Sequence, residues 1–147
     1  MKALLQRVKR SWVKVDGQEI ASIETGLNIL LGVMDQDSEV DIDKLIKKIV
    51  NLRIFPNAEG RFDRSIKDIE GEALVVSQFT LAANCKRGNR PDFSAAMEPK
   101  RAKELYELFV NRLQEHIPVQ TGQFGAMMEV GIINDGPVTI ILDSKEL

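Results

Sequence analysis

Along LLQRVKRSWVKVDGQEIASI (residues 4–23) apolar and polar residues alternate in places, and Asp16-Gly17 interrupts the pattern. Alternation with period two predicts half-buried strands, and Asp-Gly between them is a strong hairpin signal linking Val13 and Val15 to Ile20. GLNILLGV (26–33) is a short apolar run and predicts a buried strand. From Ile42 the period changes. Apolar residues at 42, 45, 46, 49, 50 and 52 fit a helix. Ser38 with Asp41 three residues on resembles a capping signal at its start, with Asp where Glu or Gln is usual.

FPNAEGRFDRSIKDIEG (55–71) is polar and rich in turn formers, whereas EALVVSQFTL (72–81) predicts a strand that carries polar residues into its end. Alternation along that strand places Ser77, Phe79 and Leu81 on one face and Gln78 and Thr80 on the other. A second helix is predicted from near Pro99, a residue suited to a first helical turn. It runs through Ala102, Leu105, Leu108, Phe109 and Leu113 toward His116, and Pro118 stops it. Three short strands around 119–124, 126–133 and 138–142 close the chain. The order β-β-β-α-β-α-β-β-β, with no repeat or linker, predicts one α/β domain over residues 1–147, with mixed sheets and two helices packed on them.

Composition narrows the class. The chain is 44% hydrophobic and 29% charged, ordinary for a soluble globular protein. No apolar run approaches the ~20 residues of a membrane span, and MKALLQRVKR lacks the apolar core and cleavage site of a signal peptide. Cys85 is the single cysteine, so neither an intrachain disulfide nor a cysteine-based zinc cluster is available. A cytoplasmic protein is expected.

The net charge of −2 is unevenly spread. Lys2, Arg7, Lys9, Arg10 and Lys14 occur before any acid. Lys86, Arg87, Arg90, Lys100, Arg101 and Lys103 cluster against Asp92 and Glu98 alone. Acids pool in Asp35, Asp37, Glu39, Asp41 and Asp43. The basic segments are either solvated surface or a local anion site.

Absences restrict the chemistry. His116 is the only histidine and reads as a surface residue near a helix end, which leaves Ser-His-Asp and Cys-His machinery poorly supplied. There is no HExxH, CxxC, Walker loop or GxGxxG, so no motif calls for a metal or a cofactor. SQFTL (77–81) remains. Three hydrogen-bonding side chains at the end of an apolar strand cost stability without partners. They either cap a strand leaving the core or line a pocket beside the basic loop NCKRGNRPDF. NDGPVTIIL (134–142) poses a similar choice. Gly136-Pro137 before a strand is either a turn or backbone presented to a ligand.

QRV (6–8), NLRIF (51–55), VVSQFTL (75–81), RPDF (90–93), TGQFGAMM (121–128) and NDGPVT (134–139) occur together in this order. With these motifs the chain closely resembles the D-aminoacyl-tRNA deacylases along essentially its full length. The resemblance implies a barrel-like sandwich of mixed sheets under two helices, three ββα layers. It also implies a cofactor-free homodimer that hydrolyses the ester between a D-amino acid and the terminal ribose of tRNA, with glycyl-tRNA also accepted. It further implies a catalytic strip at Ser77, Gln78, Phe79 and Thr80, and a cis Gly136-Pro137 pair that enters the partner's pocket as a chirality gate. Phe124 and Met128 match pocket-lining positions, while Arg7, Lys86, Arg87 and Arg90 are expected to hold the tRNA. Membrane and DNA are not expected partners. Ala82 stands where many relatives carry an aromatic. Asp92 replaces a serine, a change expected to weaken phosphate contact or to cap the following helix.

Thr80 is the obvious nucleophile, yet a threonine hydroxyl is weak unless activated and no activator is visible. The alternative uses the neighbouring ribose hydroxyl of the RNA, both donor and acceptor, to position water, with backbone N–H groups near Phe79 and Thr80 for the oxyanion. A non-catalytic RNA-binding module is the rival class. Few aromatics are available for the stacking such modules use.

Overall fold

The computed structural model describes all 147 residues. Strand β1 (Lys2–Val15) turns at Asp16 and Gly17, both with positive φ (50° and 77°), into β2 (Gln18–Ile23). These are the conformations a tight two-residue hairpin demands. β3 (Gly26–Gly32) then pairs antiparallel with the first half of β1, Leu5 opposite Ile29. Helix α1 (Glu39–Asn51) starts where Ser38 and Asp41 predicted. The Ser38 N–H donates to the Asp41 carboxylate at 2.9 Å, and Ile42, Leu45, Ile46, Ile49 and Val50 form the buried stripe.

The polar 55–71 segment makes a small hairpin, β4 (Phe55–Pro56) with β5 (Phe62–Arg64). β6 (Glu72–Ser77) runs parallel to β3 and is buried on both faces along Ala73–Val76, as its continuous apolar run requires. α2 (Pro99–Gln114) is capped by Glu98, whose carboxylate accepts the N–H groups of Lys100 and Arg101. β7 (Val119–Thr121) joins β6 in parallel.

Two expectations fail, each for a tertiary reason. The strand through SQFTL ends at Ser77, and residues 79–82 form a 3-10 turn. Gly32 makes this possible, because a Cβ there would lie 3.0 Å from Leu81 Cβ and 3.1 Å from the Gln78 carbonyl. The alternating faces expected for residues 77–81 are therefore replaced by a turn. The separate strands expected at 126–133 and 138–142 are one strand, β8 (Glu129–Asp143), paired with β1 almost end to end. β8 is an edge strand with no partner on its far side. Pro137 fits there because Asn134 pairs with Val8 and Thr139 with Gln6, so residues 135–138 bulge out opposite Arg7 alone.

The sheet order is β2-β1-β3-β6-β7, with β8 on the other side of β1, and the sheet curls until β2 approaches β6 and β7. Val8, Val13, Ala21, Ile23, Leu74 and Val76 fill the inside of this nearly closed barrel. The helices cover the outer face over the main core, from Leu5 and Ile29 to Leu105 and Phe109. At one corner the Met1 ammonium is fully buried against Asp37 at 2.8 Å, and Ser144 Oγ donates to Asp41 at 2.7 Å. Lys145 joins both carboxylates. Burial alone would raise the Asp41 pKa. Hydrogen bonds from Ser144, Ser38 and Lys145, with the nearby ammonium, outweigh it and hold this carboxyl below the usual range.

Candidate active site at the end of β6

The turn after β6 begins when the Gln78 N–H donates to the Leu31 carbonyl at 2.8 Å, anchoring the chain to β3. The Leu81 N–H then closes onto the Gln78 carbonyl at 3.2 Å. The N–H groups of Phe79 and Thr80 head this turn and have no partner within it, as at any helical start. They are a pair of adjacent donors at the open end of a buried strand. Ser77 and Gln78 are half-buried, Phe79 and Thr80 exposed. Gln78 Nε2 donates to Thr80 Oγ1 at 2.5 Å. An amide N–H₂ cannot take a proton, so this contact orients the hydroxyl without activating it. No His, Lys or carboxylate hydrogen-bonds to Thr80. His116 is exposed in the turn after α2, and no three His, Cys, Asp or Glu side chains converge as metal ligands.

One wall comes from the loop after β7. The Gly122 N–H donates to the Val75 carbonyl at 3.2 Å, and a Cβ on Gly122 would lie 2.8 Å from Met128 Sδ. Glycine therefore lets Met128 settle over Val76, next to Ser77. On the helix side Tyr106 donates its hydroxyl to the same Val75 carbonyl at 2.8 Å, and burial pushes its phenol up to about 12, so it stays a donor. Phe124 tilts against Tyr106 with centroids 5.7 Å apart and lines a cleft of about 390 Å³ with Lys103, Asn111 and Gln123. Phe124 and Met128 are thus both half-buried at the end of β6, one on each side of the sheet.

The basic loop forms a second wall. Asn84 and Asp92 exchange backbone hydrogen bonds of 2.8 and 2.9 Å, which closes the loop and leaves Lys86, Arg87 and Arg90 exposed at its tip. Phe93 ties it to the turn by an edge-on contact with Phe79, centroids 5.1 Å apart. Asp92 accepts from the Ser94 N–H and hydroxyl, so it fixes this loop, and the cap of α2 is Glu98 instead.

Gly136 and Pro137 are exposed on the β8 bulge, and the bond between them is cis. Arg7 lies beneath, only 8% exposed. Its Nε donates to the Asp135 carbonyl at 3.0 Å and its Nη1 to the Ile54 carbonyl at 2.8 Å. Unlike Lys86, Arg87 and Arg90, whose side chains are exposed, the Arg7 guanidinium is held inside the fold and supports the bulge. Its phase with Ala3 and Leu5 on β1 was the available sign of burial. Across the bulge's neck Asn134 Oδ1 accepts the Val138 N–H at 2.8 Å, a contact that nothing in the sequence marked.

Within one chain the bulge and the SQFTL turn do not form a single pocket. Ser77 pairs with Leu31 and Leu31 with Ala3, while the bulge stands opposite Arg7 on the far strand β8. Four residues along β1 and three strand spacings across the sheet separate them by roughly 20 Å. Between them a row of Ile141, Leu4 and Leu30 leads to Val76 on the face away from the helices. Ile141 at its edge is 71% exposed.

The family model described as D-Tyr-tRNA(Tyr) deacylase matches residues 4–143. The chain belongs to that family. Curated relatives named D-aminoacyl-tRNA deacylase include those of Nitratiruptor sp., 69% identical over 147 residues, and Aquifex aeolicus, 60% identical over 148, each matched over all of both chains. Among solved structures, one titled c-Myc DNA Unwinding Element Binding Protein superposes with a TM-score of 0.93 at 41% identity, covering 97% of this chain and 98% of that one. A probable eukaryotic D-amino acid tRNA deacylase superposes at 0.81 with 16% identity over 96% and 97%, a likeness of fold. In this member of the deacylase family Ala82 is buried behind the turn, so its small side chain belongs to the packing beneath the site. No helix is long and apolar enough to cross a membrane.

Proposed function

We propose that this chain hydrolyses the ester between a D-amino acid, or glycine, and the 3′-terminal ribose of tRNA, and rejects L-aminoacyl-tRNA. It works in the cytoplasm as a homodimer in which each pocket takes its SQFTL turn from one subunit and its Gly136-Pro137 bulge from the other. The observation that carries this reading is the separation of roughly 20 Å between the two elements along the sheet. Both are exposed and rigidly held, yet neither completes a site with the other in one chain. A second copy docked over the Ile141–Leu4–Leu30 row, related by a two-fold axis, brings each bulge to the other's turn. That docking also covers an apolar row whose edge residue is largely exposed.

The chemistry follows from what the turn offers. Water adds to the ester carbonyl, the carbon–oxygen bond to the ribose breaks, and the departing ribose oxygen takes up a proton. The Phe79 and Thr80 N–H groups stabilise the developing oxyanion. Gln78 holds Thr80 without activating it, so the ribose hydroxyl next to the ester positions the water. Phe124 and Met128 line the amino-acid and adenosine pocket, and Lys86, Arg87 and Arg90 meet phosphates. Carbonyls of the bulge accept hydrogen bonds from the α-ammonium, and its backbone fills the volume an L side chain needs. Glycine, with no side chain, passes. Rejection is steric. The test is deacylation of D-, L- and glycyl-tRNA by substoichiometric protein. Turnover of the D- and glycyl- forms with the L-form spared is expected. Binding without turnover, or equal turnover of D and L, would overturn the proposal.

A further inference from the structure

We propose that Asn134 is a positioning residue that sets the shape of the Gly136-Pro137 gate, an inference that rests on the gate reading above. β8 inserts four residues, 135–138, between Asn134 and Thr139, while β1 contributes Arg7 alone opposite them. An insertion of this kind has lost its ladder bonds and keeps its shape only through other partners. Arg7 supplies one from beneath, at the Asp135 carbonyl. Asn134 closes the neck. Its Oδ1 accepts the Val138 N–H at 2.8 Å and its Nδ2 donates to Thr139 Oγ1 at 3.1 Å. The amide can sit only this way round, because the Val138 N–H is a donor and must face the oxygen. Thr139 Oγ1 also lies 3.4 Å from Gln6 Nε2, which ties the clamp to β1.

Val138 is the residue against which Gly136 folds. A Cβ on Gly136 would fall 2.9 Å from Val138 Cγ2 and 3.2 Å from the Val138 nitrogen. Fixing the Val138 N–H therefore fixes the backbone directly beneath the gate. Without the clamp the bulge keeps Arg7 but can open at its far end. A gate that works by filling space fails by a small displacement, and it fails first in selectivity. Substrate held through the basic loop would bind as before.

The experiment compares kcat and KM for D- and L-aminoacyl-tRNA in the wild type, Asn134→Ala, Asn134→Asp and Thr139→Val, with thermal denaturation of each. Asn134→Ala should lower the D-over-L ratio of kcat/KM by about tenfold, the scale of one hydrogen bond to a part-buried donor. The KM for tRNA should stay within about twofold, since the phosphate contacts lie elsewhere. Asn134→Asp keeps an acceptor for the Val138 N–H and can accept from Thr139, so it should recover most of the ratio. Thr139→Val should lose part of it. A general loss of fold would lower both rates together and leave the ratio intact. An unchanged ratio in Asn134→Ala, or an Asp variant no better than Ala, overturns the inference while the gate stands. A wild type that does not discriminate D from L removes the gate and the role of Asn134 with it.

Discussion

Replacing Gly136 with alanine puts a single methyl group where the bulge has no room. Gly136 has φ +132°, a conformation L residues rarely adopt. Its added Cβ would meet Val138 Cγ2 at 2.9 Å and Arg7 Nη2 at 3.1 Å. Neither neighbour yields easily. Val138 is β-branched and stiff at χ1, and Arg7 is fastened at Nε and Nη1 to two carbonyls. Forced backbone of this kind costs roughly 1–3 kcal/mol, equivalent to a fall in Tm of roughly 3–10 °C for a domain of this size. If the bulge instead relieves the clash by shifting about 1 Å, the D-substrate should be hydrolysed on the order of 10²-fold more slowly. Gly60→Ala is the matched control, with positive φ (78°) but nothing within 4 Å of the new Cβ. The assay is single-turnover deacylation of D-aminoacyl-tRNA alongside thermal melts of both variants. Wild-type rates in Gly136→Ala, with a Tm no lower than that of Gly60→Ala, would refute the close fit of the bulge.

Thr80→Ala should lose less than the roughly 10²–10³-fold typical of removing an oxyanion donor; complete loss with the fold intact, or a trapped acyl-enzyme on Thr80, would restore Thr80 as the nucleophile. Neutralising Lys86, Arg87 and Arg90 together should weaken binding of all charged tRNAs alike and flatten the salt slope by roughly 2–3; an unchanged slope would move the tRNA off this loop. Asp41 is held below the usual carboxylate range, so its contribution is present above the unfolded pKa and is lost as pH falls through the folded one. Asp41→Asn should therefore cost roughly 2 kcal/mol at pH 7 and flatten the loss of stability below about pH 4; denaturant titrations with parallel pH slopes would contradict this.

Elements defined by local periodicity were legible in the sequence. The Asp16-Gly17 hairpin, the stripe of α1 with its Ser38–Asp41 cap and the α2 start at Pro99 all depend on residues within one or two turns of each other. What was not legible depends on partners far along the chain. SQFTL turns because Gly32 leaves room beside it. β8 continues through a proline because β1 is long enough to pair on both sides of the bulge. Ser77–Thr80, Phe124 and Met128 lie around the end of β6, yet no pattern in the sequence marks Tyr106 as the support of Val75 there, or Asn134 as the support of the Gly136-Pro137 bulge. By its charge Arg7 reads as a surface cation, although its phase along β1 with Ala3 and Leu5 places it inward. Asp92 likewise serves its own loop, through Ser94, before any helix.

If each pocket is shared between two subunits, a mixed dimer reveals it most directly. Phe79→Pro removes one N–H donor at the head of the turn, a position where proline is tolerated. Gly136→Ala disables the bulge. Each homodimer should be slow. Co-expressed with distinct tags and purified as the mixed species, the two chains should rebuild one intact pocket per dimer and recover about half of wild-type activity. The other pocket collects both lesions. If turn and bulge serve the same pocket within one chain, every pocket of the mixed dimer is damaged, and its activity will be no higher than the average of the two homodimers.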